Sequence, residues 1–184
     1  MVNITFETHS TTVDNENEVC SGHFDAKLSK TGRTQAKELG VRRENDNFAD
    51  IFCSDLSRST DTAEIAFGKR LSVIVDSRLR ECDYGDFTHC TREIMDEEQF
   101  KRITEPFPNG ESYEQAFHRM GEFFNDLLRD YDGQHVLIIG HGTTRFALDY
   151  WLNGLPAKEA ILATKSWQPG WEYTLVDALL RTLK

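Results

Sequence analysis

Residues 135–146 read His135-Val-Leu-Ile-Ile-Gly140-His141-Gly-Thr-Thr-Arg-Phe146, and this stretch decides the fold class. The apolar run before the histidine is typical of a strand buried inside a sheet. A helical pattern, TTRFALDYWLNG at 143–154, follows directly, and Gly154 is expected to end that helix. A buried strand that leads at once into a helix is typical of the α/β class.

The same alternation of strand and helix recurs along the chain. Strands are predicted at 2–7, 50–56, 71–76, 135–140 and, at an edge of the sheet, 171–177. Helices are predicted at 30–44, 57–70, 112–131 with Ser112 as N-cap, and 143–154. The inward residues are predicted to be Ala36, Leu39 and Val41 in the first helix and Ala63, Ile65 and Ala66 in the second. The pattern predicts a three-layer α/β/α sandwich with a mostly parallel central sheet.

Residues 78–112 are predicted as a long loop with a short helix. Loops of this length inside a compact domain tend to be functional. Substrate choice is therefore assigned to this segment, which includes Phe87, His89, Arg92 and Phe107.

Length and composition favour a single domain over 1–184, with 39% hydrophobic residues to build a core. No apolar run approaches the roughly 18 residues that a membrane span needs, and no basic-then-apolar leader begins the chain. We expect a cytoplasmic protein. Four cysteines, at 20, 53, 82 and 90, match neither a zinc ribbon nor a Cys-x-x-Cys motif, and they are predicted to be reduced thiols.

The net charge of −10, from 21 basic and 31 acidic residues, repels nucleic acid and anionic membranes, and neither is expected as a partner. A phosphorylated substrate would meet the same repulsion. A phosphate site must therefore concentrate positive charge and amide donors locally.

Three predicted strands end in reactive polar residues. His9 follows the first strand, the sequence SDLSR with Arg58 follows the second, and His141 follows the apolar strand. Ligands of parallel sheets bind beyond the carboxyl ends of the strands, so these side chains should converge. A lone histidine is more often structural, but two at matching positions favour function.

Arg58 and Glu81 each allow a second interpretation. Arg58 could bind a phosphate with its guanidinium, or it could pair with Asp55 or Asp61. Glu81, at the start of the long loop, is not distinguished from a surface glutamate by spacing alone.

The chain lacks the sequence motifs of several other types of catalysis. The chain has no His-x-x-x-His or His-Glu-x-x-His pair for a metal, and no Gly-x-Ser-x-Gly elbow for a serine hydrolase. The acidic residues at 96–99 are interpreted as a solvated helix face. Nucleophilic catalysis by histidine on a phosphoryl group remains.

Ordered motifs along nearly the whole chain resemble the histidine phosphatase superfamily, which includes the cofactor-dependent phosphoglycerate mutases. The matching stretches are 8–15 (THSTTVDN), 21–40 (SGHFDAKLSKTGRTQAKELG), 52–64 (FCSDLSRSTDTAE), 79–87 (LRECDYGDF), 109–112 (NGES) and 136–146 (VLIIGHGTTRF). The resemblance implies a phosphoglycerate mutase-like sandwich.

The resemblance also implies roles for individual residues. His9 would be the nucleophile that forms a phosphohistidine, Arg58 and His141 would bind the transferring phosphoryl oxygens, and Glu81 would be the general acid and base. Further phosphate or substrate contacts are expected from Thr8, Ser10, Asn15, Ser21, Gly22, Gly142 and Thr143. Neither a metal nor a cofactor is implied.

Position 8 departs from the family pattern, because Thr8 stands where the family has an arginine, and Ser10 replaces a glycine. One outcome is that another cation fills the gap, with Arg145, Arg80, His23 and Lys27 as candidates. The other is a weakly active or inactive homologue that binds a phosphorylated ligand or partner. The first is favoured because the other motif positions are present.

The expected function is hydrolysis of a small phosphorylated metabolite. About 30 residues separate Glu81 from Ser112, fewer than in the mutases, so water should reach the intermediate. Mutase-type phosphoryl transfer is the alternative. The oligomeric state is left open, with a homodimer among the alternatives.

Overall fold

The computed structural model describes residues 1–68, 70–163 and 168–177, and the strands of this part form a five-stranded sheet in the order β3-β2-β4-β1-β5. The strands are β1 (Val2–Thr8), β2 (Ile51–Cys53), β3 (Val73–Val75), β4 (His135–Gly140) and β5 (Trp171–Leu175). All are parallel to their neighbours except β5, which pairs antiparallel with β1 at the edge. The predicted sheet is confirmed, with β2, β3 and β5 shorter than expected.

The helices of the described residues include all four that the periodicity predicts. They are α1 (Val13–Glu16), α2 (Lys30–Arg42), α3 (Ser57–Phe67), α4 (Arg92–Glu98), α5 (Tyr113–Asp130), α6 (Gly142–Leu152) and α7 (Ala157–Leu162). The short helix expected within 78–112 is α4. The sequence analysis did not predict α1 or α7, because each spans less than two turns and shows little periodicity.

Alternate side chains of the central strands point into two hydrophobic layers. Val136 and Ile138 of β4 pack with α5 and α6, whereas Leu137 and Ile139 pack with α2 and α3. The sheet is therefore covered on both faces, as the three-layer prediction requires. The described part of the chain holds no helix long and apolar enough to cross a membrane. The four cysteines form no disulfide.

The predicted inward faces of α2 and α3 are confirmed with two exceptions. Ala36 and Leu39 are buried in α2, but Val41 is 68% exposed, so the prediction for Val41 was wrong. A residue two positions beyond Leu39 is turned by about 200° around the helix and faces solvent. In α3, Ala63 and Ala66 are buried and Ile65 only half-buried.

The start of α5 follows the predicted capping chemistry. Ser112 accepts a hydrogen bond from the amide of Gln115 at 3.2 Å, and the side chain of Gln115 accepts one from the Ser112 amide at 2.8 Å. This reciprocal capping box satisfies two amides that would otherwise lack partners at the helix end.

The parallel pairing of β1 with β4 aligns the ends of the two strands. Thr8 is opposite Gly140, and the amide of His9 donates to the carbonyl of Gly140 at 2.9 Å. His9 and His141 therefore leave the sheet at the same level.

Gly32 of α2 packs directly on the loop after His9. A Cβ at this position would lie 1.9 Å from the carbonyl oxygen of Thr11. We expect Gly32→Ala to lower the free energy of unfolding by about 1 to 2 kcal/mol, because the clash outweighs the helix propensity of alanine. Urea unfolding measures this change. Thr34→Ala, at an exposed position of the same helix, is the control, and equal or higher stability of Gly32→Ala would contradict the packing argument.

Candidate active site

Two imidazole rings lie side by side at the carboxyl edge of the sheet. The ring centroids of His9 and His141 are 5.0 Å apart at 54°. Nδ1 of His9 donates to the carbonyl of Ser10 at 2.8 Å, since a carbonyl can only accept. His9 therefore carries its proton on Nδ1, and Nε2 keeps a free lone pair.

His141 is fully buried and held by Ser54, the residue after β2. Its Nε2 lies 2.7 Å from the Ser54 hydroxyl, while its Nδ1 is buried without a hydrogen-bond partner among the described residues. The Ser54 oxygen also accepts a bond from the Leu56 amide at 3.4 Å. If the hydroxyl donates to Nε2, Nδ1 carries a proton that no described residue accepts.

Arg58 is buried, with 2% of its surface exposed, at the start of α3. Its Nη1 donates to the carbonyl of Phe24 at 2.9 Å and its Nη2 to the carbonyl of Gly22 at 2.7 Å. The pairing with Asp55 or Asp61 that the sequence allowed is not present. Gly22 has φ of +52°, and a Cβ there would lie within 3.2 Å of Tyr84 and Cys82 atoms, so glycine suits this turn.

Burial and the charge of Arg58 keep both imidazoles neutral. Burial, then the guanidinium of Arg58, lowers the pKa of His9 to about 3. The same two causes hold the pKa of His141 well below its usual value, and the neighbouring His9 adds to the effect. At neutral pH both rings are therefore uncharged, as a nitrogen nucleophile requires.

Glu81 lies against the first residue of α6. Its carboxylate accepts hydrogen bonds from the amides of Gly142 at 3.2 Å and Thr143 at 3.1 Å, from the Thr143 hydroxyl, and from the Cys82 amide at 2.9 Å. A carboxylate at a helix N-terminus also interacts favourably with the helix dipole. The carboxylate is thus fixed beside Gly142.

A cavity of about 640 Å³ opens in front of the two histidines. The predicted site residues that line it are Thr8, His9, Asn15, His141 and Gly142. Ser10 lines an adjoining cavity of about 550 Å³ together with Thr8 and His9. The predicted site residues that line neither cavity are Arg58, Glu81, Ser21, Gly22 and Thr143.

Several predicted phosphate donors already have protein partners. The Ser10 amide donates to Thr62 at 3.0 Å, and the Ser21 hydroxyl donates to Asp14 at 2.8 Å. The amides of Gly142 and Thr143 hold Glu81, as described above. Asn15 uses its backbone amide and its side-chain oxygen to cap α1, which leaves its Nδ2 for a ligand.

Of the four cations considered as a substitute for the missing arginine, only Arg145 lines the cavity. Arg80 forms a two-pronged ion pair with Asp55 at 2.7 and 2.6 Å. Lys27 pairs with Asp25 at 3.1 Å. His23 bonds the Glu81 carbonyl at 2.9 Å.

The long segment contributes one of its predicted residues to the cavity. Arg92, at the start of α4, stands exposed at the rim, and its amide donates to the Glu18 carbonyl at 3.0 Å. Phe107 is instead buried in the core. Sequence reasoning missed the supporting roles of Ser54 and Thr62, and the only available signal was their place in the motif block 52–64.

The apolar part of the cavity wall was not predicted either. It consists of Val19, Phe146, Ile161 and Trp171. The described residues contain no cluster of three or more histidine, cysteine or carboxylate side chains that could hold a metal ion.

Neutral imidazoles beside a buried guanidinium, at the carboxyl edge of a parallel sheet, are suited to nucleophilic phosphoryl transfer. Residues 5–164 match the profile of the histidine phosphatase superfamily (branch 1). The chain therefore belongs to the histidine phosphatase superfamily.

The curated relatives include proteins named as phosphoglycerate mutases and proteins named as phosphatases. A probable phosphoglycerate mutase GpmB from Cronobacter sakazakii is 31% identical over 166 residues, which cover 85% of this chain and 77% of that protein. Phosphoserine phosphatase 1 from Hydrogenobacter thermophilus is 33% identical over 129 residues, 65% of this chain and 61% of that protein. The named relatives thus include both mutases and phosphatases.

Solved structures share the fold. YhfR from Bacillus stearothermophilus superposes with a TM-score of 0.83 at 25% identity and covers 95% of both chains. A mycobacterial glucosyl-3-phosphoglycerate phosphatase superposes with a TM-score of 0.78 at 26% identity, over 88% of this chain and 87% of that one.

The lowered pKa of His9 predicts an acid-sensitive stability. The unfolded histidine titrates near pH 6.5 and the folded one near 3, so only the unfolded chain gains a proton between these values. The free energy of unfolding is unaffected above pH 6.5 and falls below it, by up to about 1.4 kcal/mol per pH unit.

Urea unfolding at pH 7.5, 6.5 and 5.5 tests this dependence. His9→Gln should lose less stability on acidification than the wild type, whereas His118→Gln, on the exposed side of α5, should follow the wild type. Equal slopes for all three proteins would contradict a depressed pKa at His9.

Proposed function

We propose that this protein is a phosphatase that hydrolyses a small phosphomonoester through a phosphohistidine at His9. The observation that carries the proposal is the geometry of His9. Its Nδ1–H is bound to the Ser10 carbonyl, and its pKa is lowered to about 3. Nε2 is therefore an unprotonated nucleophile that lies beside His141 at the cavity.

In the first step, Nε2 of His9 attacks phosphorus in line with the ester oxygen. The N–P bond forms, the P–O bond breaks, and the leaving alkoxide takes the proton of Glu81, which must enter this step as the protonated carboxyl group. The Nδ1–H of His141 donates to the phosphoryl oxygens, and the buried charge of Arg58, which does not line the cavity, stabilises through space the negative charge that spreads over them in the transition state. This role accounts for a buried Nδ1 without a protein partner.

In the second step, a water molecule attacks the phosphohistidine and gives its proton to Glu81. The N–P bond breaks, inorganic phosphate leaves, and His9 returns to its starting form. The four hydrogen bonds that hold its carboxyl group against Gly142, a residue of the cavity wall, support this role for Glu81.

Access of water supports hydrolysis over mutase-type transfer. Asn15, Glu18 and Arg92 line the cavity and are exposed. A panel of phosphorylated metabolites that includes 3-phosphoglycerate, assayed both for inorganic phosphate and for the isomeric ester, distinguishes the two activities. Because the relatives include both phosphatases and mutases, this panel is the first assay to perform.

Loss of the nucleophile should abolish the covalent intermediate. We expect the wild type to become labelled by a ³²P-phosphomonoester, with a label that is stable to alkali and lost in acid. His9→Asn should remove the label and lower kcat by more than about 1,000-fold. His118→Asn is the control, and a wild type that hydrolyses the ester without ever carrying label would contradict the phosphohistidine.

Glu81→Gln should slow the reaction of substrates whose leaving group needs a proton much more than the reaction of substrates whose leaving group does not. We expect the first step, measured by rapid quench, to slow by about 100- to 10,000-fold for an alkyl phosphate. With p-nitrophenyl phosphate, whose leaving group departs as an anion, the loss should stay below about tenfold. Glu114→Gln, at an exposed position of α5, is the control. Equal losses with both substrates would argue against Glu81 as the acid.

A further inference from the structure

The cavity in front of His9 contains a deep guanidinium, that of Arg145. Arg145 is 6% exposed and lies on α6, where its amide donates to the carbonyl of His141 at 3.2 Å. Arg145 lines the same cavity as His141, the residue that precedes α6.

The guanidinium of Arg145 stands beside the end of β1, on the side that Thr8 faces. Side chains alternate along a strand, so Thr8 points toward the same layer as Phe6, which packs with α5 and α6. Phe6 is paired in register with Trp171, and their rings are 5.7 Å apart. The Arg145 guanidinium lies 5.7 Å from the centroid of that same Trp171 ring and 5.3 Å from that of Phe146.

The protein holds this guanidinium in place without using all of its donors. Nη1 forms a buried ion pair with Asp149 at 3.3 Å, and Asp149 also accepts from the hydroxyl of Tyr173 at 3.0 Å and from Asn153 at 3.0 Å. Nε and Nη2 have no hydrogen-bond partner among the described residues, and neither is sealed in the interior. These N–H groups are available to an anion in the cavity.

The other cations near the site are placed differently. Arg92 lines the cavity from its exposed rim. Arg58 gives both terminal nitrogens to backbone carbonyls and does not line the cavity. Arg80 and Lys27 do not line the cavity, and each is paired with a carboxylate that does not line it either. Arg145 is the buried cation of the cavity wall in the part of the chain that the structure describes.

We propose that Arg145 binds the transferring phosphoryl group from α6 and supplies there the positive charge that Thr8 lacks on β1. Thr8 and Arg145 line the same cavity of about 640 Å³, which is where a phosphoryl group would have to bind to meet both. This inference rests on the proposed phosphatase function, and it assigns the compensating charge to one residue.

Four variants test the proposal with p-nitrophenyl phosphate as the probe. Arg145→Met removes the charge but keeps an apolar chain between Phe146 and Trp171, and we expect kcat to fall about 100-fold. Arg145→Lys, which keeps the charge, should lose less. Arg129→Met, on the exposed last turn of α5, controls for net charge and should match the wild type. Adding Thr8→Arg to Arg145→Met should raise kcat at least about tenfold above that of Arg145→Met alone.

The rescue separates phosphoryl binding from a structural role. Far-UV circular dichroism and urea midpoints establish that each variant is folded. If folded Arg145→Met keeps kcat within about threefold of Arg129→Met, the proposal is overturned. If kcat falls but Thr8→Arg restores nothing, Arg145 acts through the structure and the proposal is likewise overturned.

A binding measurement keeps this test independent of turnover. If the wild type shows neither hydrolysis nor label, the proposed function fails, but calorimetric titration with inorganic phosphate still reports on Arg145. Phosphate affinity at least about tenfold weaker in Arg145→Met than in Arg129→Met supports the assignment. Equal affinities refute it.

Discussion

The candidate site depends on the parallel pairing of β1 with β4. The hydrogen bond from the His9 amide to the Gly140 carbonyl continues this pairing by one residue beyond the strand. It places His9 and His141 at one level, with ring centroids 5.0 Å apart. A slip of one residue would turn every β1 side chain to the other face of the sheet, and the two imidazoles would no longer meet.

The buried charge of Arg58 is the second constraint. Removing a guanidinium from water is costly unless its donors are satisfied, and the carbonyls of Gly22 and Phe24 satisfy two of them. The retained charge lowers the pKa of His9 and of His141. The same arrangement that keeps a nucleophile unprotonated therefore makes the folded state sensitive to acid.

Glu81 changes how negative charge can be bound at this edge of the sheet. The N-terminus of α6 is a natural anion site, but its first amides hold the Glu81 carboxylate. A phosphoryl group must then rely more on side chains than on helix amides. The buried guanidinium of Arg145 fits this requirement, because it reaches the cavity from the same helix.

The sequence by itself determined the α/β class, the strands, the four long helices and the meeting of His9, Arg58 and His141. Hydrophobic periodicity and the geometry of parallel strand ends are local properties that a sequence displays directly. Glu81 was assigned only through the family resemblance, since spacing did not distinguish it from a surface residue.

Only the tertiary structure decided which donors are free and which cation lines the cavity. The Ser10 amide donates to Thr62, which is 52 residues away along the chain. Arg80 forms an ion pair with Asp55, which is 25 residues away along the chain. Hydrogen bonds and ion pairs of this kind depend on distances between segments that folding brings together, and no local pattern encodes those distances.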